Sequence, residues 1–187
     1  RPLEVLHVYD VILNGVATRL TPAEAALLQK TPGIRAVIQD TLEQPDTDAG
    51  PIWIGAPALW SGESVPSGVG NRGEGVLAGI IDTGINFDHP SFSDTPMDNF
   101  DYTWDGAYLG ECATNLDYAN ACNDKLVGAW TYTDETVTPE DMQGHGSHTA
   151  STVGGNVVAV SYSGVPTTIS GVAPHAQVIA YDVCDDE

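Results

Sequence analysis

The central part of the chain reads GVLAGIIDTGINFDHPSF at residues 75–92. Its first seven residues, 75–81, carry no polar side chain, which is typical of a parallel strand that is covered on both faces. Asp82 follows directly at the carboxyl end of this predicted strand. Because ligands and chemistry in open α/β sheets gather at the carboxyl ends of strands, Asp82 is the first candidate functional residue.

The composition indicates a globular protein with an acidic surface. The 187 residues are 42% hydrophobic and 17% charged, and they carry a formal net charge of −20 at pH 7. Such an excess of acids argues against nucleic acid or an anionic membrane as a partner. No apolar run approaches the roughly 20 residues that a transmembrane helix needs, so we expect no membrane span.

The N-terminal part of the chain predicts a small α/β unit. Residues 3–13, LEVLHVYDVIL, are typical of a strand, and residues 34–40, IRAVIQD, predict a second one. Between them, residues 21–33 predict a helix with Thr21 as the N-cap and Glu24 at the capping-box position. A strand, a helix and a strand of this size are too small for an enzyme core.

A linker and a larger α/β region follow. Residues 41–51, TLEQPDTDAGP, lack periodicity and predict an exposed linker. Further predicted elements are an amphipathic turn at 56–60, strands at 125–132 and 176–184, and a short helix at 145–155. Buried strands that alternate with helices predict a parallel sheet.

The tripeptide Asp82-Thr83-Gly84 has two unrelated catalytic meanings. In an aspartic protease it supplies one of two carboxylates that share a proton. That arrangement needs a second copy of the motif, and this sequence contains none. The alternative is a strand-end carboxylate that orients a histidine, and we favour it here.

The segment MQGHGSHTAST, residues 142–152, supplies a suitable histidine. Gly144 and Gly146 remove side chains on either side of His145, and the predicted helix fixes its backbone. One ring nitrogen of His145 could then face Asp82 while the other faces a nucleophile. This is the arrangement that acyl transfer needs.

The three cysteines indicate an oxidising environment. Cys112 and Cys122 flank a polar loop, and they predict a local disulfide that contributes about 3 kcal/mol of stability. Cys184 is left over, and we expect its partner, if any, beyond Glu187. This usage favours a secreted protein.

Three blocks together resemble a known family. They read GIIDTGINFDHPSF at 79–92, GHGSHTASTVGGN at 144–156 and SGVAPHAQVIAYDVC at 170–184. They are similar to the aspartate block, the histidine block and the following strand of the subtilases, the subtilisin-like serine endopeptidases, and most of all to the larger plant and secreted bacterial members. Residues 10–40 resemble the second half of the inhibitory propeptide of that family.

The resemblance implies an α/β fold: a partial parallel-sheet subtilisin-like catalytic domain, preceded by part of a small, ferredoxin-like α/β propeptide. We expect the propeptide at 1–47 and the catalytic part at 48–187, with autocatalytic cleavage between Thr47 and Asp48. The propeptide would contact the catalytic domain, and Trp53 and Trp60 would dock the new N-terminus.

The resemblance also implies catalytic roles: Asp82 is the triad carboxylate and His145 the general base. The serine block and the oxyanion asparagine block of the family are absent from residues 1–187, and we expect both beyond Glu187. The chain is therefore interpreted as an inactive fragment of a serine endopeptidase precursor that acts on polypeptides. The alternatives are an inhibitor or folding module and a catalytically degenerate subtilase.

No cofactor is expected. His148 could pair with His145 on a metal, but no third ligand stands at suitable spacing, and a structural hydrogen bond is the favoured role for His148. His89 and His175 are expected to be ordinary loop residues. Some members of the family use calcium, and four acids could bind it, although a solvated loop is favoured because the twelve-residue calcium-loop pattern is missing. These acids are Asp94, Asp98, Asp101 and Asp105.

Overall fold

The computed structural model describes residues 3–11, 14–41, 48–115, 117–118, 120–133, 138–162 and 164–184. The chain divides into two compact units, Arg1–Gln44 and Pro45–Glu187. The predicted cleavage position between Thr47 and Asp48 falls at the edge of a gap, because Thr47 lies outside the described residues. The domain boundary there remains a prediction.

The first unit contains a hairpin and one helix. Strand β1 (Val5–Tyr9) pairs antiparallel with strand β2 (Gly15–Thr18), and helix α1 (Pro22–Leu28) follows. Residues 5–9 of the predicted strand at 3–13 are thus confirmed, and residues 12–13 lie outside the described residues. Strand β2 was not predicted.

The start of α1 confirms the predicted capping box. The Thr21 hydroxyl accepts a hydrogen bond from the Glu24 backbone N–H at 3.3 Å, and the Glu24 carboxylate accepts one from the Thr21 backbone N–H at 2.7 Å. Two N–H groups that a helix start leaves without partners are satisfied in this way.

The predicted strand at 34–40 is wrong, because this segment has no regular secondary structure. Ile34 is 43% exposed and Ile38 is 85% exposed. A β-branched run forms a strand only when a neighbouring strand supplies hydrogen bonds and packing. No described strand of the first unit pairs with this segment.

The second unit is built on a four-stranded parallel sheet. Its strands are β3 (Leu77–Asp82), β4 (Leu109–Gly110), β5 (Leu126–Thr131) and β8 (Gln177–Asp182), in the order β3-β8-β5-β4. The strands predicted at 125–132 and 176–184 are confirmed, and both are largely buried. The predicted α/β class with a parallel sheet is confirmed.

Strand β3 is less buried than its sequence indicated. Ile80 is 8% exposed, but the adjacent Ile81 is 71% exposed. In the described sheet β3 has β8 as its neighbour on one side, and helix α5 (His145–Gly154) packs against β3 and β8. The expectation that the strand is covered on both faces is therefore wrong for the described residues.

The remaining elements are short. They are α2 (Gly50–Trp53), α3 (Ala56–Trp60), a 3-10 turn (Pro90–Phe92), α4 (Glu111–Thr114) and the antiparallel hairpin of β6 (Val158–Tyr162) and β7 (Val165–Ile169). Trp60 in α3 donates from its indole N–H to the carbonyl oxygen of Val172 at 2.9 Å, whereas Trp53 is 84% exposed. Of the two predicted docking residues, only Trp60 docks among the described residues.

The predicted disulfide between Cys112 and Cys122 is confirmed. It joins α4 to the segment before β5, and both cysteines belong to the buried core. Cys184 is an exposed free cysteine. In the parts of the chain that the structure describes, we find no helix with the length and apolar character that crossing a membrane requires.

Candidate active site

The carboxyl end of β3 meets the amino end of α5 at one point. There the Asp82 Oδ1 atom lies 2.7 Å from the His145 Nδ1 atom. The Asp82 side chain is 13% exposed and the His145 side chain 67% exposed. The carboxylate is therefore enclosed, while the imidazole ring reaches into solvent.

The Asp82 carboxyl is held in its ionised form. Burial by itself would raise its pKa, but hydrogen bonds from His145 and from the Thr83 backbone N–H lower that pKa below its usual value. The Thr83 bond to Oδ1 is 2.9 Å long. At neutral pH the site thus presents a fixed negative charge to the histidine.

This charge selects one tautomer of the neutral His145 ring. An ionised carboxylate only accepts hydrogen bonds, so Nδ1 carries the proton that points at Asp82. Nε2 is then the acceptor, and among the described residues it has no hydrogen-bond partner. An exposed, oriented acceptor of this kind can take a proton from an incoming hydroxyl.

Two glycines allow helix α5 to approach the loop after β3 closely. A Cβ on Gly146 would lie 2.4 Å from the Gly84 carbonyl oxygen and 3.1 Å from the Thr83 nitrogen. A Cβ on Gly84, whose φ is +100°, would lie 2.6 Å from the Pro139 carbonyl oxygen. Glycine at these positions lets helix α5 rest directly on the loop after β3.

Asp141 and Thr83 link the same two segments. The Thr83 hydroxyl donates to Asp141 Oδ1 at 2.9 Å and accepts from the Gly146 N–H at 2.8 Å. Asp141 Oδ1 also accepts from the Gly144 N–H at 2.7 Å, and Oδ2 accepts from the Ser147 N–H at 2.7 Å. Asp141 was not predicted from the sequence, although its place four residues before His145 was an available signal.

The segment before α5 also pairs with the loop after β3. The Ile85 N–H donates to the Pro139 carbonyl oxygen at 2.9 Å, and the Asp141 N–H donates to the Ile85 carbonyl oxygen at 3.2 Å. The Ser147 hydroxyl accepts from the Asn86 N–H at 2.9 Å. Residue 147 therefore uses its hydroxyl to hold the loop that follows Asp82.

Comparison with known proteins identifies the family of this fold. Residues 73–187, more than half of the chain, match the Subtilase family. The chain belongs to the subtilase family. Residues 2–44 match Peptidase inhibitor I9, so an inhibitor-type unit and a protease-type unit occur in one polypeptide. The resemblance seen in the sequence blocks is confirmed.

Several Arabidopsis thaliana proteins are similar to this subtilase chain. Subtilisin-like protease SBT1.4 is 34% identical over 98% of this chain and 25% of its own length. Subtilisin-like protease SBT1.3 is 34% identical over 96% of this chain and 24% of its own, and SBT1.6 is 32% identical over 96% and 25%. The chain spans about a quarter of the length of these relatives.

His148 does not take part in the contact between Asp82 and His145. It is exposed, and its ring has no hydrogen-bond partner in the described ranges, so the structural bond predicted for it is not found there. Within those ranges no three His, Cys, Asp or Glu side chains are grouped as metal ligands.

His175 is not the ordinary loop residue that was expected. Its Nδ1 atom lies 2.6 Å from Glu74 Oε1, and its Nε2 atom lies 2.9 Å from Asp98 Oδ2. The ring stacks on Phe100 with 3.9 Å between ring centroids. Asp98, one of the four acids considered for calcium, also pairs with Arg72 at 3.5 Å. The expectation was wrong because all of these partners are distant in sequence.

His89 does behave locally. Its Nδ1 atom accepts a hydrogen bond from the Ser91 N–H at 3.2 Å and caps the short 3-10 turn. This agrees with the loop role expected for it.

A buried amine lies in the core of the second unit. Lys125 is 0% exposed, and its Nζ atom donates to the carbonyl oxygens of Pro174 and Ala176 at 2.7 and 2.5 Å. The amine also lies 4.8 Å from the ring centroid of Tyr102. Burial lowers the pKa of Lys125 to about 7, against a smaller opposing effect of Asp98.

Proposed function

We propose that this subtilase chain is part of a serine endopeptidase precursor in which Asp82 and His145 are two members of the catalytic triad. The observation that supports this most is the 2.7 Å contact between Asp82 Oδ1 and His145 Nδ1, with the far side of the ring exposed. The nucleophilic serine and the oxyanion asparagine are assigned to polypeptide outside residues 1–187, since neither family block occurs in this sequence.

The proposed reaction is hydrolysis of a peptide bond. His145 Nε2 takes the proton of the serine hydroxyl as the oxygen attacks the peptide carbonyl, and it later delivers a proton to the leaving amine. Asp82 keeps the proton on Nδ1 and stabilises the imidazolium that forms. Without a nucleophile and oxyanion donors, residues 1–187 alone are expected to be inactive.

The substrates and the location follow from the same proposal. The proposed substrates are polypeptides, and the exposed His145 ring is accessible to them. A secreted setting is favoured by the Cys112–Cys122 disulfide, because such bonds persist in oxidising compartments.

The proposal is tested in the longer protein that carries this chain. We would measure hydrolysis of a fluorogenic peptide library by the wild type and by the variants His145→Ala and Asp82→Asn. Both variants are expected to lose at least about 10³-fold in kcat. The matched control is His148→Ala, which removes a second exposed histidine of the same helix. Full activity in His145→Ala would refute the proposed role of this residue.

A second function is proposed for residues 1–47: inhibition of the protease unit until cleavage. The match of residues 2–44 to Peptidase inhibitor I9 supports it. Addition of the 187-residue chain to the mature longer protease should give slowly reversed inhibition, and the same chain without residues 1–47 should give none. Equal inhibition by both would contradict this role. N-terminal sequencing of the mature protease checks the proposed cut between Thr47 and Asp48.

A further inference from the structure

We propose that Asp141 is a positioning residue that sets the Asp82–His145 contact, acting through the Thr83 hydroxyl and the first turn of α5. This inference rests on the proposed function, because the contact matters for catalysis only if the pair is catalytic. Asp141 itself does not touch the pair: its four hydrogen-bond donors lie within two residues of Asp82 or of His145 in the chain, namely Thr83, Gln143, Gly144 and Ser147.

The two members of the pair are carried by separate elements. Asp82 ends β3 and His145 begins α5, so contacts between these elements must fix the distance between the side chains. The bond from the Gly146 N–H to the Thr83 hydroxyl, 2.8 Å long, joins the residue after Asp82 to the residue after His145. Apart from the direct contact between the two side chains, no described hydrogen bond joins residues that lie nearer to Asp82 and His145 in the sequence.

Asp141 determines the direction of this bridge. A hydroxyl has one proton to donate, and an ionised carboxylate can only accept. The Thr83 proton is therefore committed to Asp141 Oδ1, at 2.9 Å, and a lone pair of the same hydroxyl is left for the Gly146 N–H. Without the carboxylate the hydroxyl is free to rotate.

Asp141 also holds the backbone on both sides of His145. It accepts from the N–H groups of Gly144 and Ser147, each at 2.7 Å. A negative charge at the first turn of the ten-residue helix is further stabilised by the helix dipole. Any shift of His145 along or around the helix axis must lengthen at least one of these bonds.

The carboxylate is ionised when it does this. Burial raises the pKa of Asp141, but hydrogen bonds from Ser147, Gly144 and Thr83 lower that pKa below its usual value. Thr83 is 5% exposed, so its hydroxyl is shielded from competing water. A shielded bond between an ionised acceptor and a hydroxyl is stronger than an exposed one.

A helix cap alone would have a different consequence. If Asp141 only stabilised α5, its loss would lower the melting temperature and leave the His145 ring oriented in the protein that remains folded. A positioning role instead requires that the ring loses its preferred tautomer. Variants of Thr83 distinguish the two roles, because Thr83 lies in the loop after β3 and is not part of α5.

The first experiment measures the tautomer of the His145 ring in the 187-residue chain. With ¹⁵N-labelled histidine, the two ring nitrogen shifts are recorded at a pH where the ring is neutral, and His145→Asn assigns the signals. The wild type should show the Nδ1–H tautomer. Thr83→Val, which keeps the side-chain volume, and Asp141→Asn should each mix in the Nε2–H tautomer, while Thr83→Ser should restore the wild-type shifts.

The matched control is Asp105→Asn. Asp105 is exposed, its carboxylate has no hydrogen bond or ion pair within the described ranges, and the change removes the same charge. It should leave the ring shifts unchanged. Wild-type shifts in Thr83→Val would overturn the proposal, and this variant carries the test if Asp141→Asn does not fold.

The second experiment uses the longer protease. Thr83→Val and Asp141→Asn should lower kcat about 10- to 100-fold with KM within about 2-fold, because a displacement of about 1 Å at a catalytic group costs rate but not binding. Thr83→Ser should stay close to the wild type. If Asp82→Asn is inactive but Thr83→Val and Asp141→Asn are fully active, this inference fails and the proposed function stands. If Asp82→Asn is fully active, the proposed function itself fails.

Discussion

Gly146 rests on Gly84 so closely that a Cβ on Gly146 would lie 2.4 Å from the Gly84 carbonyl oxygen. This oxygen belongs to the backbone, so no side-chain rotation can move it away. Gly146→Ala should therefore push α5 off the loop after β3, cost about 1–3 kcal/mol of unfolding free energy and separate His145 from Asp82. Urea unfolding and the His145 ring ¹⁵N shifts measure the two effects.

The matched control for this change is Gly50→Ala. A Cβ on Gly50 would meet nothing within 4 Å, and Gly50 does not have a positive φ. Its unfolding free energy should match the wild type. Equal stability of the Gly50 and Gly146 variants would contradict the tight contact.

The buried Lys125 predicts a specific pH dependence of stability. Its pKa is about 7 in the folded protein, against 10.5 for an ordinary lysine. Between these values the unfolded chain binds the proton and the folded protein does not, so the unfolding free energy rises with pH by up to about 1.4 kcal/mol per pH unit. Below about pH 7 both states are charged, and the full cost of burial is present.

Lys125→Met should remove this rise, and Lys30→Met, a change at an exposed lysine, should keep it. Urea unfolding at intervals from about pH 7 to pH 9.5 is the measurement. Tyr102 lies in the same cluster, and its raised pKa makes stability fall only above about pH 10. Parallel curves for Lys125→Met and the wild type would show that the amine is not buried as described.

The clasp formed by His175, Glu74 and Asp98 should stabilise the second unit. His175→Phe keeps a ring against Phe100 but removes both carboxylate contacts, and we expect a loss of about 1–2 kcal/mol. The effect is limited because the Glu74 side chain is 40% exposed. His148→Phe, at an exposed histidine, is the control, and a larger loss there than in His175→Phe would argue against the clasp.

The Cys112–Cys122 disulfide should contribute about 3 kcal/mol to the free energy of unfolding, because the closed loop restricts the conformations of the unfolded chain. The double variant Cys112→Ser/Cys122→Ser should lower the unfolding free energy by this amount. Cys184→Ser removes an exposed free cysteine and should have no effect. Thermal melts of the two proteins, with and without reductant, check both expectations.

Local signals predicted local structure well. The capping box of Thr21 and Glu24 depends on residues three positions apart, and the structure has it. The order of strand, Asp82 and glycine-flanked His145 likewise indicated a meeting of strand end and helix start, because parallel strands place their carboxyl ends at one edge of the sheet.

Several features that depend on distant partners were not predicted. Residues 34–40 have strand composition, but no described strand pairs with them. The role of His175 depends on Glu74 and Asp98, which are about a hundred and about eighty positions away. Asp141 was not predicted because its bond to the Thr83 hydroxyl joins residues that are 58 positions apart in the chain.

The most direct test of the proposed catalytic pair is kcat for peptide hydrolysis by the longer protein with Asp82→Asn. The amide cannot hold the proton on His145 Nδ1 as the carboxylate does, so kcat should fall about 10⁴-fold while the melting temperature stays near that of the wild type. A folded Asp82→Asn protein that cleaves peptides at the wild-type rate would contradict the catalytic role proposed for Asp82.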